Sequence, residues 1–281
     1  MSILGFGDRT VRISLFAITD VGRTRGHNED CYLVVDLSPP NPTLTPKVRE
    51  HTLGEKGTIL VVADGMGGAS AGEVASQTAT QVIFDRMVTN WVQDRRTDLK
   101  SFNSALEEAI QDANQDIHRM AMGESDLQGM GTTLTAVGVL GKDLTFAQVG
   151  DSRAYLIRDG EIEQMTKDQS LTRHLVDEGQ MTEADAEMSP GKNIILQALG
   201  PRPSVEVVFT HRKALRGDTL VLCSDGLSGV IQEGEIRDTV EGCQDPAVAC
   251  EDLVELANSR GGPDNVTVIV ARLDGPGLRE S

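Results

Sequence analysis

The stretch that most constrains this chain is Ile59-Leu60-Val61-Val62-Ala63-Asp64-Gly65-Met66-Gly67-Gly68. Five apolar, mostly branched residues end in an aspartate and the chain then breaks into glycines, so the run reads as a buried strand delivering one carboxylate to its end. The glycines let the backbone turn sharply beside that acid, so that a main-chain carbonyl can face the same point. A carboxylate and a carbonyl aimed together suit a hard cation. Alone, a strand ending in Asp-Gly is also an ordinary turn, and the weight comes from its repetition along the chain.

Upstream, Val11, Ile13, Leu15 and Ala17 share one alternating face with Phe16 and Ile18 on the other, which predicts a strand over Val11–Asp20. The polar loop Arg23–Asp30 brings a carboxylate pair to the edge of the next strand, Cys31–Val35. Pro39, Pro40, Pro42 and Pro46 mark an exposed insertion over about 38–57. Ser70-Ala71-Gly72-Glu73 has the form of a capping box, opening a helix whose stripe Ala75, Ala79, Val82, Ile83 and Met87 runs to about Trp91. A second amphipathic helix is expected from near Asp98 to Met120. Two such helices need an apolar surface to cover. Strands at Thr132–Leu140, Leu144–Val149, Ala154–Arg158 and Glu161–Met165, joined by short turns, supply an antiparallel sheet for them.

Farther on, a short helix is expected from Asp168 to Gly179 and a mobile flap from Gln180 to Pro203. Strands follow at Val205–Thr210 and Thr219–Cys223, then a proline-started helix over Asp245–Asn258, then a last strand at Val266–Leu273 and a frayed tail.

Lys plus Arg number 26 against 43 Asp plus Glu, a formal net charge of -17, which argues against nucleic acid or an anionic membrane as the partner. No apolar run approaches the ~20 residues of a membrane span. The opening Met1–Arg9 lacks the basic region and apolar core of a secretory leader. Cys31, Cys223, Cys243 and Cys250 form no Cys-x-x-Cys pair, so reduced thiols in a cytoplasmic protein are expected.

Five segments place a carboxylate at the end or start of a strand beside a tight turn: Asp30, Asp64, Asp151, Asp225 and Asp264. Crowded carboxylates raise one another's pKa unless cations are present. Oxygen donors without paired His or Cys point to magnesium or manganese rather than zinc.

The ordered set Arg25-x-x-Asn28-Glu29-Asp30, Val62-Ala63-Asp64-Gly65-Met66-Gly67-Gly68, Gly131-Thr132-Thr133-Leu134, Val149-Gly150-Asp151-Ser152-Arg153, Ser224-Asp225-Gly226-Leu227 and Asp264-Asn265-Val266-Thr267 resembles the metal-dependent protein phosphatases, the protein phosphatase 2C family, in its bacterial branch. With the hairpins and helices, the resemblance implies an α+β fold, a four-layer α-β-β-α sandwich of two central antiparallel sheets flanked by helices, with a flap subdomain. One phosphatase domain is expected over 10–274, with the flap at about 168–204 and a tail at 275–281.

The resemblance also implies roles. Asp64, bridging, and the Gly65 carbonyl would ligate a metal pair, Asp225 and Asp264 would hold one ion of it, and Asp30 would act on the other largely through waters. Asp151, with Asp225, resembles the site of a third, weaker ion. Glu29 and Asn265 would order these groups from outside. Arg25 resembles the arginine whose planar fork grips substrate phosphate, so Arg25, Asp64 and Asp225 are the expected catalytic residues. A pair of divalent ions lowers the pKa of a shared water, so that hydroxide attacks phosphorus in line and no covalent phosphoenzyme is needed.

Two positions depart from the pattern. Met66 stands where eukaryotic members have a histidine that is a candidate general acid, leaving water, His27 or His174 to protonate the alkoxide. Gln169 replaces a histidine common in bacterial relatives. The expected function is a protein-serine/threonine phosphatase using Mn2+ or Mg2+ (two ions, with a third weaker one). It would act as a monomer on phosphorylated proteins and oppose a bacterial Ser/Thr kinase. The alternatives are a silent pseudophosphatase that only binds a partner, and a regulatory phosphatase of the sporulation or stress-response type.

Overall fold

In chain order, β1 (Arg12–Asp20) leads through the polar loop to β2 (Asp30–Leu37), and the short strands β3 (Pro40–Asn41) and β4 (Glu50–Thr52) precede β5 (Thr58–Met66). Helices α1 (Ala71–Arg86) and α2 (Leu99–Gly123) follow, with a π-helical turn at Met87–Val92 closing the first. Then come β6 (Gly131–Thr132), β7 (Leu134–Leu140), β8 (Asp143–Val149), β9 (Arg153–Arg158) and β10 (Glu161–Gln164), and the flap segment with α3 (Leu171–Asp177) and α4 (Glu183–Met188). The chain finishes with β11 (Val208–Lys213), β12 (Thr219–Cys223), α5 (Asp225–Ser228), α6 (Glu233–Gly242), α7 (Pro246–Ser259) and β13 (Val266–Asp274). The structure, a computed structural model, describes residues 10–38, 40–41, 50–67, 71–189, 191 and 194–280. Gly68, the proposed helix cap Ser70, Pro39, Pro42, Pro46, Pro190 and the Met1–Arg9 opening lie outside them.

The strands form two sheets, ordered β10-β9-β12-β13-β1-β4 and β11-β8-β7-β5-β2-β3, with β6 paired to β5. The neighbouring strands all pair antiparallel. Between the sheets lie Ile13, Leu15, Leu60, Val62, Val137, Phe146, Leu222 and Ile269. Outside the second sheet, Ile59, Val61 and Ala63 meet Ala75, Ala79 and Ile83 of α1, with Phe102, Leu106 and Ile110 of α2 behind them. Outside the first, Val221, Val268 and Val270 meet Leu253 and Ala257 of α7 and Ile236 of α6. The four-layer α-β-β-α architecture thus holds, and it explains the unbroken apolar run before Asp64. β5 is buried on both faces, each large side chain contributing about 1.5–3 kcal/mol. Val11, just ahead of β1, and Ile13, Leu15 and Ala17 on it face the sandwich while Phe16 and Ile18 face the helices, as their alternation predicts.

Three segments differ from expectation. β11 begins at Val208 because Val205 is drawn under α2, where Gln111 Nε2 donates to its carbonyl at 2.7 Å. α6 was not anticipated; it is opened by a Gln232/Glu235 capping box and buries only Ile236 and Val240. The end of the chain does not trail off. Leu278 is buried in the interlayer core, Gly277 N donates to Thr10 O at 2.9 Å, and Arg216 N donates to Arg279 O at 2.7 Å.

Candidate active site

Antiparallel pairing of β2 with β5 sets Asp30 directly across from Asp64, so two carboxylates occupy one rim of the second sheet. Gly65 follows, and only a glycine fits there. A Cβ would lie 2.2 Å from Gly72 O and 2.5 Å from Glu29 O, forcing β5 off α1. Gly65 N donates to Glu29 O at 3.2 Å, and the Asp64 carbonyl accepts from Thr133 N at 2.8 Å and Thr132 Oγ1 at 2.9 Å. The strand end that carries Asp64 is therefore rigid.

The first sheet supplies the rest. Ser224, at the end of β12, and Thr267, on β13, each donate a hydroxyl to Asp30 Oδ2 at 2.7 Å, tying the two sheets together at the rim. Asp225 follows Ser224, and its carboxyl is hydrogen-bonded to Asp64. Asp264 precedes β13 and accepts from Arg25 NH2 at 2.7 Å and from Asn265 N at 2.9 Å. Asp151, between β8 and β9, is buried and lies near Asp225 and Asp168.

Buried acids this close cannot all ionise without help. Burial pushes Asp30 up to about 7 despite its two hydroxyl donors, and Asp225 and Asp264 add to the rise. Asp151 is likewise pushed to about 7, by burial and then by Asp225 and Asp168. Burial raises Asp64 well above the usual carboxylate range, with Asp30, Asp225, Asp151 and Asp264 adding repulsion. Asp225 is raised by burial and Asp264, and its bond to Asp64, together with Arg25 and Arg153, pulls it partly back.

Among the described residues, no three His, Cys, Asp or Glu side chains close on one point tightly enough to cage an ion as they stand. Asp264 is engaged by Arg25, and Asp30 Oδ2 by its two hydroxyl donors. The donor set nonetheless fits a divalent cation. Asp30 Oδ1 and Asp151 Oδ1 are buried oxygens with no hydrogen-bond partner, and the surrounding acids carry negative charge that Arg25 alone does not offset.

The remaining expected residues divide. Asn265 lies outside the carboxylate cluster as a brace: its Oδ1 accepts from Glu29 N at 2.8 Å, and its Nδ2 donates to Val21 O at 2.9 Å and His27 O at 3.0 Å, shaping the Arg25 loop. The Glu29 carboxylate is mostly buried against Gly72 and lies 3.4 Å from His27 Nε2. His174, on α3, is exposed and paired with Glu178 at 3.6 Å. Cys223 is fully buried and its thiol is pushed up to about 12 by burial, which rules it out as a thiolate nucleophile. The residues that reading single motifs missed are hydroxyls and amides: Thr133, Ser152, Ser224, Thr267 and Gln148. Part of their signal was present, since Asp151, Asp225 and Asp264 each have a Ser or Thr within three residues and Gly65, next to Asp64, pairs with Thr132; Asp30 has no such neighbour.

A family model described as protein phosphatase 2C matches residues 49–259. A sandwich of two antiparallel sheets with acids gathered on one rim is the architecture of that class, and the chain belongs to the protein phosphatase 2C family. Its relatives are bacterial. The serine/threonine phosphatase stp of Listeria innocua is 36% identical over 252 residues, covering 90% of this chain and 92% of that protein. The crystal structure of the Mycobacterium tuberculosis serine/threonine phosphatase PstP/Ppp superposes with a TM-score of 0.78 at 36% identity, over 94% of this chain and 100% of that one. A structure of the catalytic domain of PstP in complex with two manganese ions superposes with a TM-score of 0.75 at 35% identity, over 94% of this chain and 100% of that one.

Proposed function

We propose that this chain is a divalent-metal-dependent protein-serine/threonine phosphatase that transfers the phosphoryl group of phosphoserine and phosphothreonine to water, releasing the alcohol and inorganic phosphate. The observation that carries this reading is the rim of buried, mutually repelling acids, Asp30 opposite Asp64 and Asp225 bonded to Asp64, in a chain whose relatives bear phosphatase names. Asp64, the Gly65 carbonyl, Asp225, Asp264 and Asp30 would hold two Mn2+ or Mg2+ ions, and Asp151 with Asp225 a third. Bound there, the ions supply charge for the phosphoryl oxygens and lower the pKa of a water.

The chain's own groups do the rest. Arg25 presents its fork to two phosphate oxygens from a loop that Asn265 braces. The Ser224 and Thr267 hydroxyls keep Asp30 aimed, and Thr133, which accepts from Asp64 N at 3.1 Å, fixes the backbone that aims Asp64. Met66 offers no proton, so water, or His27, which lies 3.4 Å from Glu29, would supply one to the departing alkoxide.

A silent binding module has no need of a complete acid set together with Arg25, and nothing on the rim favours that reading. We place the protein as a monomer in the cytoplasm, opposing a Ser/Thr kinase and acting on that kinase's targets, with one domain that starts at about residue 10 and takes in the packed segment through Arg279. Among the described residues no helix is long and apolar enough to cross a membrane. The test is turnover of phosphoserine, phosphothreonine and phosphotyrosine peptides with manganese, magnesium or chelator. Asp64→Asn and Asp225→Asn are expected to lose turnover at least about 100-fold while remaining folded; activity of either variant in chelator contradicts the proposal.

A further inference from the structure

Gly150, the residue before Asp151, is held at both backbone groups by one residue of the flap segment. Its N–H donates to Gln169 Oε1 at 2.8 Å, and its carbonyl accepts from Gln169 N at 2.9 Å. Gly150 stands at φ +101, where L side chains are strained, and a Cβ there would lie 2.8 Å from Thr133 Cβ and Cγ2. On the far side of Asp151, the Ser152 carbonyl accepts from Gln148 Nε2 at 2.7 Å and Thr135 Oγ1 at 2.8 Å, and Ser152 Oγ lies 2.7 Å from Thr133 Oγ1. Asp151 is therefore pinned between two anchored neighbours, with Oδ1 buried and unpartnered. The nearby Asp168 is already engaged, clamped by Arg153 Nε at 3.0 Å and NH2 at 2.6 Å.

The anchors differ in origin. Thr133 and Ser152 lie at the sheet's rim, and Thr135 and Gln148 on β7 and β8, where the strand ladders fix them. Gln169 lies where the flap segment leaves the body: its carbonyl accepts from Leu196 N at 2.8 Å, and two residues on Leu171 N donates to Ile194 O at 2.8 Å, so the outgoing and returning roots of the flap pair at and beside Gln169. A shift of that root is passed to Gly150 through two hydrogen bonds.

We infer that Gln169 is a positioning residue for Asp151. Its side-chain oxygen and main-chain N–H hold the Gly150 turn so that the orphan Asp151 oxygen is aimed at a divalent cation, which links the seating of the flap to occupancy of that ion position. The inference rests on the reading of Asp151 as an ion-binding acid. Gln169→Ala removes the acceptor of the Gly150 N–H and loosens that side of the turn, while the Gly150 carbonyl still accepts from the residue-169 N–H and from Gln148 Nε2 at 2.8 Å; Gln169→Glu keeps an oxygen at the same place.

The test is calorimetric titration of the full chain with Mn2+, comparing wild type, Asp151→Asn, Gln169→Ala and Gln169→Glu, with thermal unfolding of each in chelator. Asp151→Asn is expected to abolish the weakest Mn2+ step. Gln169→Ala should weaken that same step about 10–100-fold, the usual effect of removing a group that orients a metal ligand. The tighter steps and the chelated midpoint should be unchanged, and Gln169→Glu should bind as wild type or tighter. If Asp151→Asn leaves every step intact, the ion-binding reading of Asp151 fails and the inference falls with it. If Asp151→Asn removes the step but Gln169→Ala leaves it within threefold, or weakens all steps together with a lowered midpoint, or if Gln169→Glu weakens it as much as alanine does, the inference alone is overturned.

Discussion

Arg25 donates to Asp264 at 2.7 Å, although the two residues stand 239 positions apart and were expected to serve different partners, substrate phosphate and a metal ion. In this state each occupies the other. The bond to Asp264 also raises the Arg25 pKa, so the guanidinium stays charged. On the proposed reading, a cation taken up by Asp264 and a phosphate arriving at Arg25 would reinforce one another, because each would release the group the other needs.

That coupling gives the first prediction. Arg25→Ala should lower kcat/KM for a phosphopeptide about 10–100-fold, the worth of one or two charge-assisted hydrogen bonds, with the change mainly in KM. Arg25→Lys should fall between, keeping charge without the fork. Mn2+ binding, measured by calorimetry, should be equal or tighter in Arg25→Ala. An unchanged KM would remove Arg25 from the phosphate site.

Stability without ions should depend on pH in the direction opposite to most acid-rich proteins. Burial pushes Asp30 and Asp151 up to about 7 in the folded chain against an ordinary value of 3.8, so between those values the folded state holds protons that the unfolded chain has released. Their contribution is full below the lower value and is lost as pH rises through about 7, at up to about 1.4 kcal/mol per pH unit for each group. In chelator, the urea midpoint should fall from pH 5 to pH 8, and Mn2+ should restore it at the high end. A midpoint that is flat or rises over that window in chelator contradicts the raised values.

What the sequence disclosed follows from range. The burial of Ile59–Ala63, the faces of β1 and the placement of each aspartate at a strand end depend on neighbours a few residues away, and those were legible. The hydroxyl bonds from Ser224 and Thr267 to Asp30 span 194 and 237 residues, and no local pattern announces them. Helix α6 carries little signal in the sequence because two buried side chains in ten residues make a weak stripe. Leu278 looked like part of a tail because its partners come from the far end of the chain, beside Val11.

Asn114 is fully buried on α2, where it accepts from Gly200 N at 2.8 Å and donates to Arg202 O at 3.0 Å; one turn on, His118 Nδ1 lies 2.7 Å from Gly200 O. Together they clamp the segment whose Leu199 bridges to Thr132 at the site. Asn114→Leu keeps the branched shape, with slightly more bulk, but leaves two main-chain groups unpaired, so a loss of about 2–4 kcal/mol in urea unfolding is expected. Turnover should fall as well, since the strand holding the Asp64 carbonyl loses its support. A change below about 0.5 kcal/mol would mean that water replaces the clamp.

Lys56 gives the insertion a structural purpose. Its Nζ donates to three carbonyls, Trp91 at 3.1 Å, Asp94 at 2.7 Å and Arg96 at 2.7 Å, and sits 4.4 Å from the centroid of the Trp91 ring. Trp91 Nε1 returns a bond to Lys56 O at 2.8 Å. A cation just past the C-terminal end of the α1 segment gathers the carbonyls of the chain leaving the π-turn, and it favours the dipole there. Lys56→Met preserves the stem and removes the charge and three donors, so unfolding should cost about 1–3 kcal/mol less. The acids of the rim are untouched, and kcat with saturating Mn2+ should stay within twofold. A large loss of kcat without loss of stability would place the insertion in substrate handling and not in holding α1 to the sheet.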